Sequence, residues 1–214
     1  MALDNHVFGV AFVESIDFSN DTTKFDGIMG LGKSSLSTQG VLTPVESLAK
    51  QGLISEAITS YKFSRLSDGL NDGEITFGGL DESKFDPDTL VTFPDINTRG
   101  YWEANFTASI CGEDLGLGNR SAILDTGTTL ILAPAADAEA IHAEIPGAKI
   151  DEESGYYVVP CNTTTVVSLA FGGRDFDIDP IDLLAFPVDT NDLDGDCVSG
   201  ILPLNTTLGS QTWM

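Results

Sequence analysis

The chain has 214 residues, 42% of them hydrophobic, enough for a buried core in one large domain or two small ones. Its 33 acidic and 10 basic residues give a formal charge of −23 at neutral pH, which repels nucleic-acid phosphates and anionic membrane surfaces and disfavours both as partners. No apolar run reaches the roughly 18 to 20 residues that span a bilayer, so neither a transmembrane segment nor a membrane partner is expected.

That negative charge strains the folded state at neutral pH and eases as carboxylates protonate, as suits a protein at home in acid or simply a soluble acidic surface. The opening residues "MALDNHVFGVAF" lack a basic start, a long apolar centre and a small-residue cleavage site, so no signal peptide is expected in this chain. "HVFGVAFVES" reads as the first strand. Asp26, in "FDG", reads as a structural turn residue. "TPVESLAKQG" reads as a helix: Thr43 is the N-cap, Pro44 suits the first helical position, Glu46 completes a capping box and Gly52 ends it. The strands "YKFSRL", "GEITFGGL", "LVTFP", "YWEANFTASI", "SAILD" and "TLILAP" follow, bounded by turn residues. A second helix is expected in "PAADAEAIHAEIPG", with Pro134 in its first turn, Ile141 and Ile145 on one face, and Pro146 and Gly147 stopping it. "YYVVPC", "TVVSLAFGG" and "DFDI" complete a mainly β, sheet-packed protein without repeats or low-complexity linkers.

Three cysteines, Cys111, Cys161 and Cys197, allow one disulfide and leave one thiol over. With no C-x-x-C spacing and only His6 and His142 as imidazoles, no metal site and no cofactor are expected. The acidic run "DTNDLDGD" reads as a solvated turn, because it lacks the ligand spacing and terminal Glu of an EF-hand loop. Asn20, Asn105, Asn119, Asn162 and Asn205 each open an N-x-[ST] sequon; five in this length favour secretion and glycosylation.

One acid stands apart in "SAILDTGTTLILAP". Asp125 can begin an ordinary turn, with Gly127 supplying a positive φ and the threonines bonding backbone. It also follows a buried-strand signature and precedes two hydroxyls and a second apolar strand, so its loop lies between core strands. A carboxylate buried there needs hydrogen bonds, which the Gly amide and Thr hydroxyls can supply.

At these residues the sequence resembles the pepsin-like aspartic proteases, bilobal β enzymes in which each lobe supplies one Asp-Thr-Gly loop. "HVFGVAFVES" and "FDGIMGLGKSSLS" resemble the closing part of the family's amino-terminal lobe, where the apolar-apolar-Gly run, here Ile28, Met29 and Gly30, passes beneath that lobe's catalytic loop. "TPVESLAKQGLI" is similar to the helix that follows, "YKFSRLSDGLNDGEITFGGLDESKF" to the crossing between lobes, and "RGYWEANFTASI" with "AILDTGTTLILAP" to the start of the second lobe. The resemblance implies a pepsin-like bilobal acid-protease fold, incomplete here: residues 1–60 as a remnant of the amino-terminal lobe, residues 61–214 as inter-lobe strands and an incomplete carboxyl-terminal lobe. It implies Asp125 as a catalytic aspartate, Gly127, Thr128 and Thr129 facing the substrate backbone, and Leu204 in a loop lining a side-chain pocket. Tyr101 resembles a cleft-wall residue on the leaving-group side; as a residue it reads equally as a core aromatic beside Trp102. Cys161 and Cys197 match the family's carboxyl-lobe disulfide.

The sequence holds one Asp-Thr-Gly, whereas the family's mechanism uses two. The first loop and the flap would lie upstream of Met1, and the second lobe's last strands beyond Met214. The expectation is an aspartic-type endopeptidase acting on peptide or protein substrates outside the cell, with its missing amino-terminal lobe as partner, and a chain that is inactive alone. A non-catalytic secreted peptide-binding module of the same fold is the alternative; a dimer with one aspartate per chain is disfavoured, because remnants of both lobes would crowd the two-fold axis.

Overall fold

The computed structural model describes residues 2–20, 22, 25–204 and 211–214. They fall into two units, Met1–Phe63 with Gly73–Asp86, and Ser64–Asp72 with Pro87–Met214.

The first unit holds helix α1 (Ile16–Ser19), helix α2 (Pro44–Lys50) and an antiparallel pair, β1 (Thr59–Lys62) and β2 (Glu74–Phe77). α2 starts and stops where local chemistry says it should. The Thr43 hydroxyl accepts from the Glu46 amide (3.3 Å) and the Glu46 carboxylate accepts from the Thr43 amide (2.9 Å), so two otherwise unpaired donors are satisfied. Gly52, at φ 68°, donates to the Ala49 carbonyl (3.0 Å) and closes the last turn.

"HVFGVAFVES" forms no strand. Its apolar alternation suits a pleated surface, but strands need a ladder partner, and Val7, Phe8, Val10, Phe12 and Val13 stand exposed instead. The Ile28–Met29 pair is exposed as well.

Among the described residues the second unit contains twelve strands and one α-helix: β3 (Glu103–Ile110), β4 (Glu113–Asp114), β5 (Arg120–Ile123), β6 (Ile131–Ala133), α3 (Ala135–Ala143), β7 (Lys149–Ile150), β8 (Tyr157–Pro160), β9 (Val167–Phe171), β10 (Arg174–Ile178), β11 (Leu184–Pro187), β12 (Asp196–Ser199), β13 (Ile201–Pro203) and β14 (Thr212–Trp213). One sheet runs β10-β9-β3-β5-β14 with β4 beside β3; a second runs β11-β12-β8-β7; β13 pairs with β6. β3 is the spine of the first sheet, pairing with β5 along its first half and with β9 along its second. Its period-2 pattern buries Ala104, Phe106, Ala108 and Ile110. These pack with Val159, Val167, Phe171, Ile141, Leu183, Ile201 and Trp213 in one core. "LVTFP" joins this core without becoming a strand: Phe93 stacks on Phe171 (5.5 Å between centroids), and Val91 sits where a Cβ on Gly172 would stand, 2.8 Å away. Its apolar character serves packing, not pairing.

Cys161 and Cys197 are joined, linking the end of β8 to β12 across 36 residues of chain. Cys111 is a free, exposed thiol in the turn between β3 and β4. Among the described residues no helix is long and apolar enough to cross a membrane.

α3 begins after Pro134, which occupies the N-cap, one position before the first helical turn proper. Its buried face carries Ala138 and Ile141, with Ile145 just beyond, and also two titratable residues, Asp137 and His142. Asp137 is 1% exposed and fully partnered: Arg120 donates to both carboxylate oxygens (2.6 and 2.8 Å), and the Trp213 indole donates to Oδ2 (2.9 Å). The His142 ring stacks on Tyr157 at 3.9 Å and 5°. Its Nδ1 lies 2.6 Å from the Ala138 carbonyl, which only accepts, so Nδ1 carries the proton. Nε2 then accepts from the Ser199 hydroxyl (2.8 Å), whose oxygen accepts the Ile201 amide (3.1 Å). Burial holds the His142 pKa below its ordinary value, against the smaller opposing effect of the Ala138 bond.

Replacing Asp137 by Ala should cost about 3–5 kcal/mol in denaturant unfolding, because Arg120 and the indole N–H lose their shared acceptor; a loss under about 1 kcal/mol would show the cluster to be dispensable. The His142 effect has a definite sign. The unfolded chain takes up a proton below about pH 6.5 while folded His142 resists it, so its contribution is complete above that value and is lost as the pH falls toward the depressed folded pKa. The wild-type protein should therefore lose stability relative to His142→Gln between pH 7 and about pH 5; parallel pH profiles would refute this.

Candidate active site

The Asp125 loop is built by the strands around it. It leaves β5 after Ile123 and enters β6 at Ile131. β14 runs parallel to β5, with Thr212 opposite Ser121 and Trp213 opposite Ala122. Immediately after it, Met214 exchanges two backbone hydrogen bonds with Leu132 of β6 (2.7 and 3.0 Å). One short strand thus clamps both stems of the loop. On the far side of β6, β13 runs parallel, and the Ile131 amide donates to the Gly200 carbonyl (2.9 Å).

Asp125 itself is exposed, not buried as its flanking strands suggest. The loop turns outward at Leu124, already 48% exposed, after the fully packed Ala122 and Ile123. The expected donors do reach the carboxylate: the Gly127 amide donates to Oδ1 (2.9 Å) and the Thr128 hydroxyl to Oδ2 (2.5 Å). Bonds to an ionised acceptor are among the stronger ones, and two fix the plane of the carboxylate. Gly127 has no positive φ; its role is close approach, since a Cβ there would sit 3.3 Å from Asp125 Oδ1. The result is a solvent-facing carboxylate of set orientation, able to take a proton from water or hold one toward a carbonyl.

Tyr101 enters through the ladder. β3 and β5 pair from Phe106↔Arg120 to Glu103↔Ile123, and the Leu124 amide bonds the Trp102 carbonyl (2.8 Å) in the same register. Tyr101 is the residue before Trp102, where this ladder ends. Tyr101 is half-buried, with the Arg99 guanidinium 5.5 Å over its ring, and Trp102 is exposed. Thr128 is half-buried and Thr129 exposed in the same loop.

Leu204 is placed differently. It follows β13, where Pro203 pairs with Ala133, and its amide donates to the Ala133 carbonyl (2.7 Å). That is the end of β6 away from the Asp125 loop, about 10 Å along the strand at 3.3 Å per residue. Gly200, not Leu204, lies beside the loop's exit. Asn20, Asn105, Asn119 and Asn162 are all exposed, and Asn119 has a positive φ of 57° in its turn; Asn205 lies outside the described residues. The clamp by β14 was invisible in "QTWM", which is too short to carry a periodic signal.

The eukaryotic aspartyl protease family model matches residues 1–213. The probable aspartic-type endopeptidase CTSD of Arthroderma benhamiae is 35% identical over 209 residues, covering 97% of this chain and 39% of that protein. Rhizopuspepsin-1 of Rhizopus niveus is 38% identical over 190 residues, 87% of this chain and 46% of its own length. The probable vacuolar protease A of Trichophyton verrucosum is 34% identical over 186 residues, 85% of this chain and 44% of its own. The chain therefore spans less than half the length of each of these relatives. With the family model covering nearly every residue and the relatives sharing a third of the sequence, this protein belongs to the eukaryotic aspartyl proteases, the pepsin-like enzymes.

Proposed function

We propose that this chain provides one half of the active centre of an aspartic-type endopeptidase, with Asp125 as one of its two catalytic aspartates. The observation that carries this reading is the carboxylate's setting: exposed, yet oriented by the Gly127 amide and the Thr128 hydroxyl on a loop clamped at both stems. In this reading Gly127, Thr128, Thr129 and Tyr101 line the path of an extended peptide, and Leu204 contributes to a more distant side-chain pocket. Residues 1–60 belong to the amino-terminal lobe and residues 61–214 to the inter-lobe strands and the second lobe.

The chemistry explains why one aspartate is insufficient. Peptide hydrolysis by an activated water needs a base to take the water's proton while an acid hydrogen-bonds the scissile carbonyl. Two facing carboxylates sharing one proton divide these tasks, because their mutual repulsion raises the pKa of one of them. The sequence holds a single Asp-Thr-Gly. The partner acid therefore comes from an amino-terminal lobe, whose natural apposition would also cover the exposed apolar residues between Val7 and Val13. The exposed sequons fit a glycosylated, secreted enzyme.

The chain alone should not hydrolyse apolar peptides at about pH 3 to 5, a range that brackets the ordinary carboxyl pKa values. Supplied with the amino-terminal lobe of a relative, fused or in trans, it should do so, and Asp125→Asn should lower kcat by about 10²- to 10⁴-fold. Hydrolysis indifferent to that substitution would sink the assignment; a folded assembly that binds peptide without cleaving it would favour a binding module. Gly127→Ala, whose added Cβ meets Oδ1 at 3.3 Å, should reduce kcat by up to about 10²-fold with an unchanged melting temperature, as a displaced reacting group does.

A further inference from the structure

The loop that presents Tyr101 is organised by one side chain, Asn97. Its Oδ1 accepts three successive backbone amides, from Arg99 (2.7 Å), Gly100 (2.8 Å) and Tyr101 (3.1 Å). Its Nδ2 donates to Glu103 Oε2 (2.5 Å), at the first residue of β3. Asp95 supports it from behind, accepting the amides of Asn97 (2.9 Å) and Glu103 (3.3 Å) on Oδ1. The other Glu103 oxygen accepts from the Ser121 hydroxyl (2.6 Å), which shares a further hydrogen bond with the Thr212 hydroxyl (3.2 Å). Ser121 lies in β5, four residues before Asp125, and Thr212 lies in the clamping strand β14. A continuous hydrogen-bonded path therefore runs from the backbone of Tyr101 to β5, one stem of the Asp125 loop, and to the clamping strand β14.

We propose that Asn97 is a positioning residue: it gathers the amides of residues 99–101 onto one oxygen and anchors that turn through Glu103 to β5 and β14, fixing Tyr101 relative to Asp125. The inference rests on the reading of Tyr101 and Asp125 as parts of one peptide site. The position requires an acceptor and a donor on one short planar group. Aspartate supplies the acceptor but sets a second carboxylate against Glu103; glutamine is one methylene too long for the same turn; serine cannot reach both ends. Gly100, buried at φ 122°, completes the device, since a residue with a Cβ disfavours that backbone conformation.

The test uses amide hydrogen exchange on the whole chain and peptide kinetics on the chain joined to an amino-terminal lobe, each with Asn97→Ala and Asn97→Asp. In Asn97→Ala the amides of Arg99, Gly100 and Tyr101 should exchange about tenfold faster or more, the worth of one net hydrogen bond, while the core amides of Ile110 and Val158 keep their rates. Asn97→Asp retains the shared acceptor and should restore protection at the three amides. In the kinetic arm, Asn97→Ala should raise KM for an extended apolar peptide severalfold at nearly constant kcat, because the aligned substrate contact is lost and the reacting groups are not. Unchanged exchange at the three amides in Asn97→Ala would overturn the proposal, as would loosened amides with an unaltered KM. Should the Ala variant open globally, seen as faster exchange at Ile110 and Val158, Asn97→Asp decides: protection at the three amides supports the proposal, and its loss in a folded core overturns it. A failure of the protease reading shows separately, as hydrolysis indifferent to Asp125→Asn, because exchange reads the network without any catalysis.

Discussion

The second unit depends on one buried carboxylate. Asp137 sits in the first turn of α3, directly after β6; Arg120, which grips both its oxygens, opens β5; Trp213, which donates its indole proton, belongs to β14. Those are the two stems of the Asp125 loop and the strand between them. A buried charge is costly unless paired, and here the pairing is complete only when all three elements occupy their places. The cluster ties the local geometry of the loop to the packing of the whole unit, through Trp213 stacked edge-on against Phe106 in the core (5.0 Å).

The molecule therefore contains two carboxylates with opposite treatment. Asp137 is enclosed, saturated with donors and unavailable to solvent; Asp125 is held by two donors yet open. The first has the energetic role of a keystone; the second is the one proposed above as a reagent. His142 adds a third case, a neutral base kept neutral by enclosure against Tyr157 and Ser199. Its preference opposes that of the surface: a charge of −23 relaxes as the pH falls, whereas the core around His142 resists the proton. The net charge of the whole chain and this one interior imidazole therefore act on stability in opposite directions as the pH falls.

What could be read from the sequence was local chemistry and its periodicity. Thr43, Glu46 and Gly52 announce α2 because a capping box and a C-terminal glycine act within ten residues. β3 is readable because Ala104, Phe106, Ala108 and Ile110 alternate with polar residues, and the donors to Asp125 because Gly127 and Thr128 are its neighbours. The misreadings share a cause: pairing and exposure are decided by distant residues. "HVFGVAFVES" has the pattern of a strand and no ladder; "QTWM" has no pattern and completes the sheet at β5. Where Leu204 sits, beside the far end of β6, is a separate matter that no sequence reading addresses, since parallel register is unreadable from spacing. Asn97 carries no signal in the sequence, since nothing in the residues around it reveals a link to Glu103 and onward to Ser121.

The parallel pairing of β14 with β5 has a consequence in time. Ser121 and Thr212 are 91 residues apart in sequence, so on a ribosome adding about 5–20 residues per second the second follows the first by roughly 5–18 s. Through that interval β5 and β6 exist without the strand that joins them, and closing so long a loop carries an entropic cost that only the finished contacts offset. The frame around Asp125 is therefore among the last parts of the unit to form. A nascent chain carries Asp125 long before that residue has a fixed direction, and its loop gains one only when β14 has been made.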